Sequence, residues 1–240
     1  RKREFARLLL EKLRPLARKL EKSGHFPGVQ VHGPQLFSYC CIERERLARI
    51  SSDVPRIGIV LSGQKEFWLG IESQSFVAGD VFVLPADVAF DVVNIPSETS
   101  GLYETLLVDI AEVPMALRGA AVQNRKPRGL DMRVTLTPEL VDALAHAAIQ
   151  LNMSGHASAL AAHRLSEVLM LLAHDTAAAC LFSRPLADRV VWLVAARPAT
   201  AWTAERLGKA LGLGASTLRR QLSRQGTSLR NVLAGARMQV

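Results

Sequence analysis

Apolar residues recur with a helical period at the start of the chain. Over residues 1–22, five of them are spaced by three or four positions and so share one helix face: Phe5, Leu9, Leu13, Leu16 and Leu20. Pro15 interrupts this pattern, and we expect it to kink or split the helix. Basic amphipathic helices can lie on membranes or dock on partners, but we favour packing of this apolar stripe against the protein's own body.

The period changes to that of short strands within residues 23–136. Turn-forming Gly, Pro, Asn, Asp and Ser separate short apolar runs at close intervals, and six runs are predicted as strands: 56–61, 65–69, 75–77, 81–84, 89–93 and 103–110. Six or more short strands leave exposed edges in an open sheet, so we expect a small closed barrel.

A helical hairpin is predicted over residues 137–182, after a linker-like stretch at 114–136. Thr137 followed by Pro138 is a favourable helix start. The second helix has an apolar stripe that is interpreted either as intramolecular core or as a dimer interface, and its members are the candidate dimerisation residues: Ala161, Leu165, Val168, Leu169 and Leu172.

The last segment, residues 185–240, has the spacing of a helix-turn-helix. Thr203 is a predicted cap of one short helix, Gly208 permits close approach of two helices, and Gly212 supplies the left-handed turn. A second helix over 215–225 turns its leucines inward. Its outward positions are the candidate DNA-binding residues, which either read bases or contact phosphate: Ser216, Thr217, Arg219, Arg220 and Arg224.

The distribution of charge supports a polyanion partner for this segment. The 240-residue chain carries a net charge of +8, which divides into +6 for residues 1–22, −5 for 23–186 and +7 for 187–240. A basic end on an acidic body favours nucleic-acid binding, although a solvated basic surface gives the same count. No apolar run reaches the roughly 18 residues of a membrane span. Three cysteines, two of them adjacent, favour a reducing cytoplasm.

Several motifs resemble the DNA-binding domain of AraC/XylS-type bacterial transcription regulators. They are the run Trp202 to Gly208, the pair Leu211-Gly212, the run Ser216 to Leu222, Gly226-Thr227-Ser228 and Arg237-Met238. Residues 56–93 look like the cupin-type sensor domain of those regulators, and residues 138–182 match their dimerisation helices. The resemblance implies an α+β protein: a cupin-like β-barrel with a helical dimerisation hairpin, followed by an all-α DNA-binding domain, acting as a dimeric regulator that responds to a ligand or partner.

The chain departs from this family pattern in two ways. Family members carry two helix-turn-helix units, whereas this sequence stops at Val240, inside the helix expected to begin near Leu229. We therefore expect this chain alone to bind DNA weakly or not at all. The turn between Leu222 and Gly226 is one residue shorter than the commonest form and resembles a sub-group that includes virulence and acid-stress regulators.

The effector is less well defined by the sequence. Residues that would line a barrel or meet a carboxylate at its mouth are the candidate ligand-binding set: Arg56, Lys65, Trp68, Phe82 and Phe90. By resemblance the effector is a fatty acid or another apolar acid. The arginine pairs Arg3/Arg7 and Arg14/Arg18 resemble cyclic-dinucleotide motifs, a less favoured alternative.

Catalysis is not expected. Residues 56–113 contain no histidine, so the His-x-His pattern of metal-binding cupin enzymes is missing, and neither metal nor cofactor is predicted. Two other classes remain alternatives to a regulator: a cupin-fold enzyme with a helical appendage, and an interaction module that docks a partner protein on the stripe of residues 157–172.

Overall fold

The computed structural model describes residues 2–21, 27–86, 88–114, 117, 130–153, 158–182, 186–224 and 227–237. In this part of the chain the helices are α1 Lys2–Glu21, α2 Pro138–Met153, α3 Ala159–Leu172, α4 Ala179–Phe182, α5 Leu186–Ala196, α6 Ala204–Ala210, α7 Ala215–Arg224 and α8 Leu229–Arg237. The strands are β1 Gly28–Val31, β2 Leu36–Cys41, β3 Glu45–Ile50, β4 Arg56–Ser62, β5 Gln64–Leu69, β6 Glu72–Val77, β7 Val81–Leu84, β8 Phe90–Ile95 and β9 Tyr103–Asp109. The predicted α+β class is confirmed.

The strands form two antiparallel sheets around one core. The first sheet has the order β1-β2-β9-β4-β7 and the second the order β3-β8-β5-β6. Alternate residues of β5 point inward, so Lys65, Phe67 and Leu69 are buried while the residues between them are half-exposed. The barrel is therefore built from two facing sheets, and the strand patterns of the sequence lie in them within one or two residues.

Aromatic rings fill the centre of the barrel. The Phe67 ring contacts the rings of Phe76, Phe82 and Phe90 with centroids 5.8, 5.0 and 5.7 Å away, at angles favoured by aromatic pairs. Gly58 on β4 makes room for this cluster, because a Cβ atom there would lie 2.1 Å from the Cζ atom of Phe82. The predicted core character of Phe82 and Phe90 follows from this packing.

Helix α1 lies against the hairpin of α2 and α3. Leu9 and Leu13 are fully buried, which confirms that the apolar stripe packs on the protein's own body. The helix runs through Pro15 without interruption, so the predicted split is wrong. A proline removes one backbone hydrogen bond, and the burial of the leucines on the preceding turns compensates for that loss.

The stripe on α3 is part of the core of the single chain. Its five members, proposed from the sequence for dimerisation, are 0–6% exposed: Ala161, Leu165, Val168, Leu169 and Leu172. They pack in the core shared with α2, so they are not available to a second subunit, and this assignment is corrected. The exposed apolar residues of α3 are Leu160, Met170 and Leu171.

We predict that Gly58→Ala lowers the free energy of unfolding by about 1–3 kcal/mol, because the added methyl group must displace a buried Phe82 ring in a filled core. Urea unfolding followed by circular dichroism measures the change. The matched control is Gly235→Ala on α8, where a Cβ meets nothing within 4 Å. That helical substitution should be neutral or stabilise by up to about 1 kcal/mol. Equal stability of the two variants would contradict the prediction.

Candidate functional site

Helices α6 and α7 form the predicted helix-turn-helix. The Thr203 hydroxyl accepts a hydrogen bond from the Arg206 backbone N–H at 3.2 Å, which caps α6 as expected. Gly212 has φ of 68°, the left-handed backbone that the turn requires. A Cβ on Gly208 would lie 2.6 Å from the Leu213 carbonyl oxygen, so only glycine allows the turn to approach α6 this closely.

Four leucines hold the two helices together. Leu207, Leu211, Leu218 and Leu222 are 0–2% exposed and fill the space between α6, α7 and the helices behind them. Because these side chains fix one face of α7 against the domain, the opposite face must point to solvent. The packing thus determines which residues of α7 are presented outward.

The outward face of α7 holds most of the candidate DNA-binding residues. Ser216, Arg219 and Arg220 are exposed and Thr217 is half-buried. Arg224 belongs to the last turn of α7, but its side chain lies outside the described ones. Exposed arginines and hydroxyls on a helix of this kind match the donors that contact base edges and phosphates.

The two arginines of α7 differ in their surroundings. The Arg219 guanidinium lies 3.8 Å from a Glu205 carboxylate oxygen, and both side chains are mostly exposed. The backbone N–H groups at the start of α6, the Thr203 hydroxyl and Arg219 together hold the pKa of Glu205 below its usual range. Within the described part of the chain Arg220 has no ion-pair partner. Arg220 is therefore the more available cation.

The structure does not bring the candidate ligand-binding residues together. Phe82 and Phe90 are buried in the aromatic cluster, and Trp68 lies on the outer side of β5, where its indole N–H donates to Glu66 at 3.2 Å. The Arg56 guanidinium donates to Asp109 at 2.6 Å and covers the Phe37 ring. The proposed lining set is therefore corrected, because alternation along the strands sends its members to opposite sides of the sheets.

Lys65 is buried inside the barrel rather than placed at its mouth. Its ammonium group donates to the Asn94 side-chain oxygen at 2.7 Å, and Asn94 in turn donates to the Glu45 carboxylate at 2.8 Å. These three residues occupy one row across β5, β8 and β3, since Lys65 pairs with Asn94 and Asn94 with Glu45. Burial lowers the pKa of Lys65 to about 7, against an opposing effect of Glu45.

The barrel packs directly on the DNA-binding helices. The rings of Phe90 on β8 and Trp192 on α5 have centroids 6.2 Å apart. Gly70 lies so close to Arg197 that a Cβ would come 2.2 Å from a guanidinium nitrogen. Beside these contacts is a two-part cleft of about 450 and 390 Å³. The sequence analysis missed this cleft, because its residues come from distant positions along the chain.

Metal binding and membrane crossing were also considered on the described residues. Among them, no group of three or more His, Cys, Asp or Glu side chains is arranged to hold a metal ion. None of the described helices combines the length and apolar character needed to span a bilayer.

Comparison with known proteins gives structural likenesses at low identity. No protein-family model and no curated protein matches the chain. The structure of apo ToxT from Vibrio cholerae matches with 10% identity and a TM-score of 0.45, over 88% of this chain and 82% of that chain. ToxT from the same organism bound to (E)-4-(8-methylnaphthalen-1-yl)but-3-enoic acid matches with 10% identity and a TM-score of 0.47, over 85% and 81%. A cupin superfamily protein from Desulfitobacterium hafniense matches with 12% identity and a TM-score of 0.28, over 34% and 72%.

We predict that stability rises between pH 7 and pH 9 through Lys65. Because its pKa is lowered in the fold from 10.5 to about 7, the unfolded chain binds more protons than the folded chain in this window. The rise is at most about 1.4 kcal/mol per pH unit. Above pH 9 the buried thiols act in the opposite direction, since burial raises the pKa of Cys41 to about 12.

Urea unfolding at a series of pH values checks this prediction, with Lys65→Met as the test variant. This substitution should remove most of the slope between pH 7 and pH 9, while Lys2→Met, at an exposed position of α1, should keep it. A slope that persists in Lys65→Met would show that another group titrates in this window.

Proposed function

We propose that the protein is a sequence-specific DNA-binding transcription regulator of AraC/XylS type, controlled by a small ligand or a partner through its β domain. The observation that supports this proposal is the exposure of Ser216, Arg219 and Arg220 on a helix whose opposite face is locked by buried leucines. The net charge of +7 over residues 187–240 attracts a polyanion to the same segment. Binding, not catalysis, is the proposed activity, and the proposed location is the cytoplasm, where such a regulator meets DNA.

In this proposal α7 enters the major groove. Arg220 donates its two-pronged guanidinium to a guanine edge or to a phosphate, while Ser216, one helical turn earlier, makes a shorter contact on the same side. Arg219 lies beside them and is held by Glu205 in the free protein. Thr203 and Gly212 keep α6 and the turn in the geometry that presents these groups together.

The β domain is placed to influence this surface. Trp192 of α5 contacts the barrel through Phe90, and α8 packs on the same α5. A shift in the barrel is therefore transmitted through packed side chains to the helices that support α7. This connection gives a ligand or partner of the β domain a physical route to the DNA-binding surface.

We predict that Arg220→Ala weakens specific DNA binding by the full-length protein about 10- to 100-fold, because one bidentate base or phosphate contact is lost. The probe is a duplex selected from a randomised pool, and affinity is measured by fluorescence anisotropy at several salt concentrations. Arg44→Ala removes an equally exposed arginine from the barrel and should leave the affinity unchanged.

Two results would contradict the regulator proposal. One is the failure of selection to yield any duplex bound with salt-dependent affinity. The other is an equal effect of Arg220→Ala and Arg44→Ala, which would mean that α7 makes no particular contribution.

We also propose that the protein acts as a homodimer, through the exposed side of α3. Leu160, Met170 and Leu171 are 39–51% exposed there, whereas the stripe originally considered for this role is buried. Apolar residues exposed together on one helix are candidates for burial against a second copy.

We predict that Met170→Lys raises the dimer dissociation constant about tenfold or more, because a charge would enter an apolar contact. Sedimentation velocity of the full-length protein over a concentration series measures this. Ile71→Lys, at an apolar residue 91% exposed in the β domain, is the matched control and should leave dimerisation unchanged. A wild-type protein that sediments as a monomer throughout would refute the dimer.

A further inference from the structure

The cleft between the barrel and the helix-turn-helix is lined by cations. The interdomain cleft is defined here by its five basic residues, one from the barrel and four from the helical domain: Arg49, Arg189, Arg197, Arg206 and Lys209. Arg49 and Lys209 line both of its parts, so the two parts are continuous. No carboxylate is among the described residues that line either part. A concentration of like charge without acidic neighbours in the lining favours an anionic occupant.

The barrel holds its one arginine at the cleft by an unusual backbone conformation. Arg49 has φ of 56°, the only non-glycine residue of the described chain in the left-handed region. It lies in a bulge of β3, where the pairing with β8 shifts between Leu47 and Ile50. The Asp91 carboxylate fixes this bulge, since it accepts hydrogen bonds from the Arg46 guanidinium at 2.9 Å and from the Arg49 backbone N–H at 3.0 Å. Strained backbone of this kind is concentrated at binding and catalytic sites.

On the helical side, Arg197 carries an unused donor. Its guanidinium covers the Trp202 ring at 4.6 Å, and its Nε atom is buried without a hydrogen-bond partner in the described part of the chain. Gly70 permits this position because any larger residue would meet the guanidinium. A buried donor without an acceptor is costly, and an anion in the cleft would relieve that cost.

From these observations we infer that the interdomain cleft binds a small anion that carries a diphosphate-type group. Arginine forks match phosphate oxygens in pairs, and Lys209 adds a further charge at the point where the two parts of the cleft meet. An apolar acid, the effector implied by resemblance, would place a hydrocarbon chain among these cations. A DNA duplex is too wide for parts of about 450 and 390 Å³ with the barrel as one wall. The inference rests on the proposed function in one respect, because it names the class of effector.

The same anion would connect the two domains. Arg49 belongs to the barrel, whereas Lys209 ends α6 and Gln221, which also lines the cleft, belongs to α7. A ligand that contacts both sides stabilises the arrangement in which they converge, and its binding is coupled by necessity to whatever α7 binds. The site is therefore suited to an effector and not merely to a counter-ion.

The test is isothermal titration calorimetry of the full-length protein, without DNA, at near-physiological salt. The probes are inorganic pyrophosphate, ADP and decanoate. The test variants are Arg49→Asn, in which asparagine tolerates the left-handed backbone, and Lys209→Gln. The matched control is Arg44→Gln, an exposed arginine of the barrel outside the cleft. Thermal unfolding without ligand confirms that each variant is folded.

We expect saturable binding of pyrophosphate or ADP, weakened about tenfold or more by either test variant and unchanged by the control. Equal affinity for the two probes would show that the diphosphate alone is recognised, and tighter binding of ADP would show that a nucleotide is. Failure of both to bind, insensitivity to both test variants, or tighter binding of decanoate would overturn the inference.

A duplex arm separates this inference from the proposed function. With the selected duplex, loss of affinity in Arg49→Asn in the absence of any anion binding would make the cleft a DNA-phosphate contact and overturn the inference. Anion binding by a protein that binds no duplex would instead support the site and reject the regulator.

Discussion

The close approach of α6 to the turn at Gly208 is the constraint on which the candidate interface depends. The turn can lie against α6 only where residue 208 has no side chain, since a Cβ there would meet the Leu213 carbonyl at 2.6 Å. This approach sets the angle between α6 and α7 and brings Leu207 and Leu211 against Leu218 and Leu222. The outward direction of Arg220 is therefore a consequence of packing on the far side of the helix.

Local signals in the sequence carried most of the fold. The cap at Thr203, the left-handed Gly212 and the strand runs depend on residues within a few positions of one another, and each is found where the sequence placed it. Pro15 is the exception, because tertiary burial of Leu9 and Leu13 outweighs a local preference against a continuous helix.

The candidate sites were less accessible to sequence reasoning. Lys65 follows the same alternation as Phe67 and Leu69, a signal that predicts an inward position, yet its charge suggested a surface role. Its partners Asn94 and Glu45 are supplied by strand register, which no local pattern specifies. The interdomain cleft joins Arg49 to Lys209, residues far apart in the chain, so only the packed structure reveals their proximity.

The pair of Glu205 and Arg219 has a consequence for how DNA contact is measured. In the free protein a carboxylate already neutralises part of the Arg219 charge, at 3.8 Å and near the surface. When a phosphate takes the place of Glu205, one protein ion pair is exchanged for another, and fewer condensed cations leave the duplex than an unpaired arginine would release. The ionic-strength dependence of binding therefore undercounts the arginines that touch the backbone, and the acid that caps α6 is also an internal competitor of DNA.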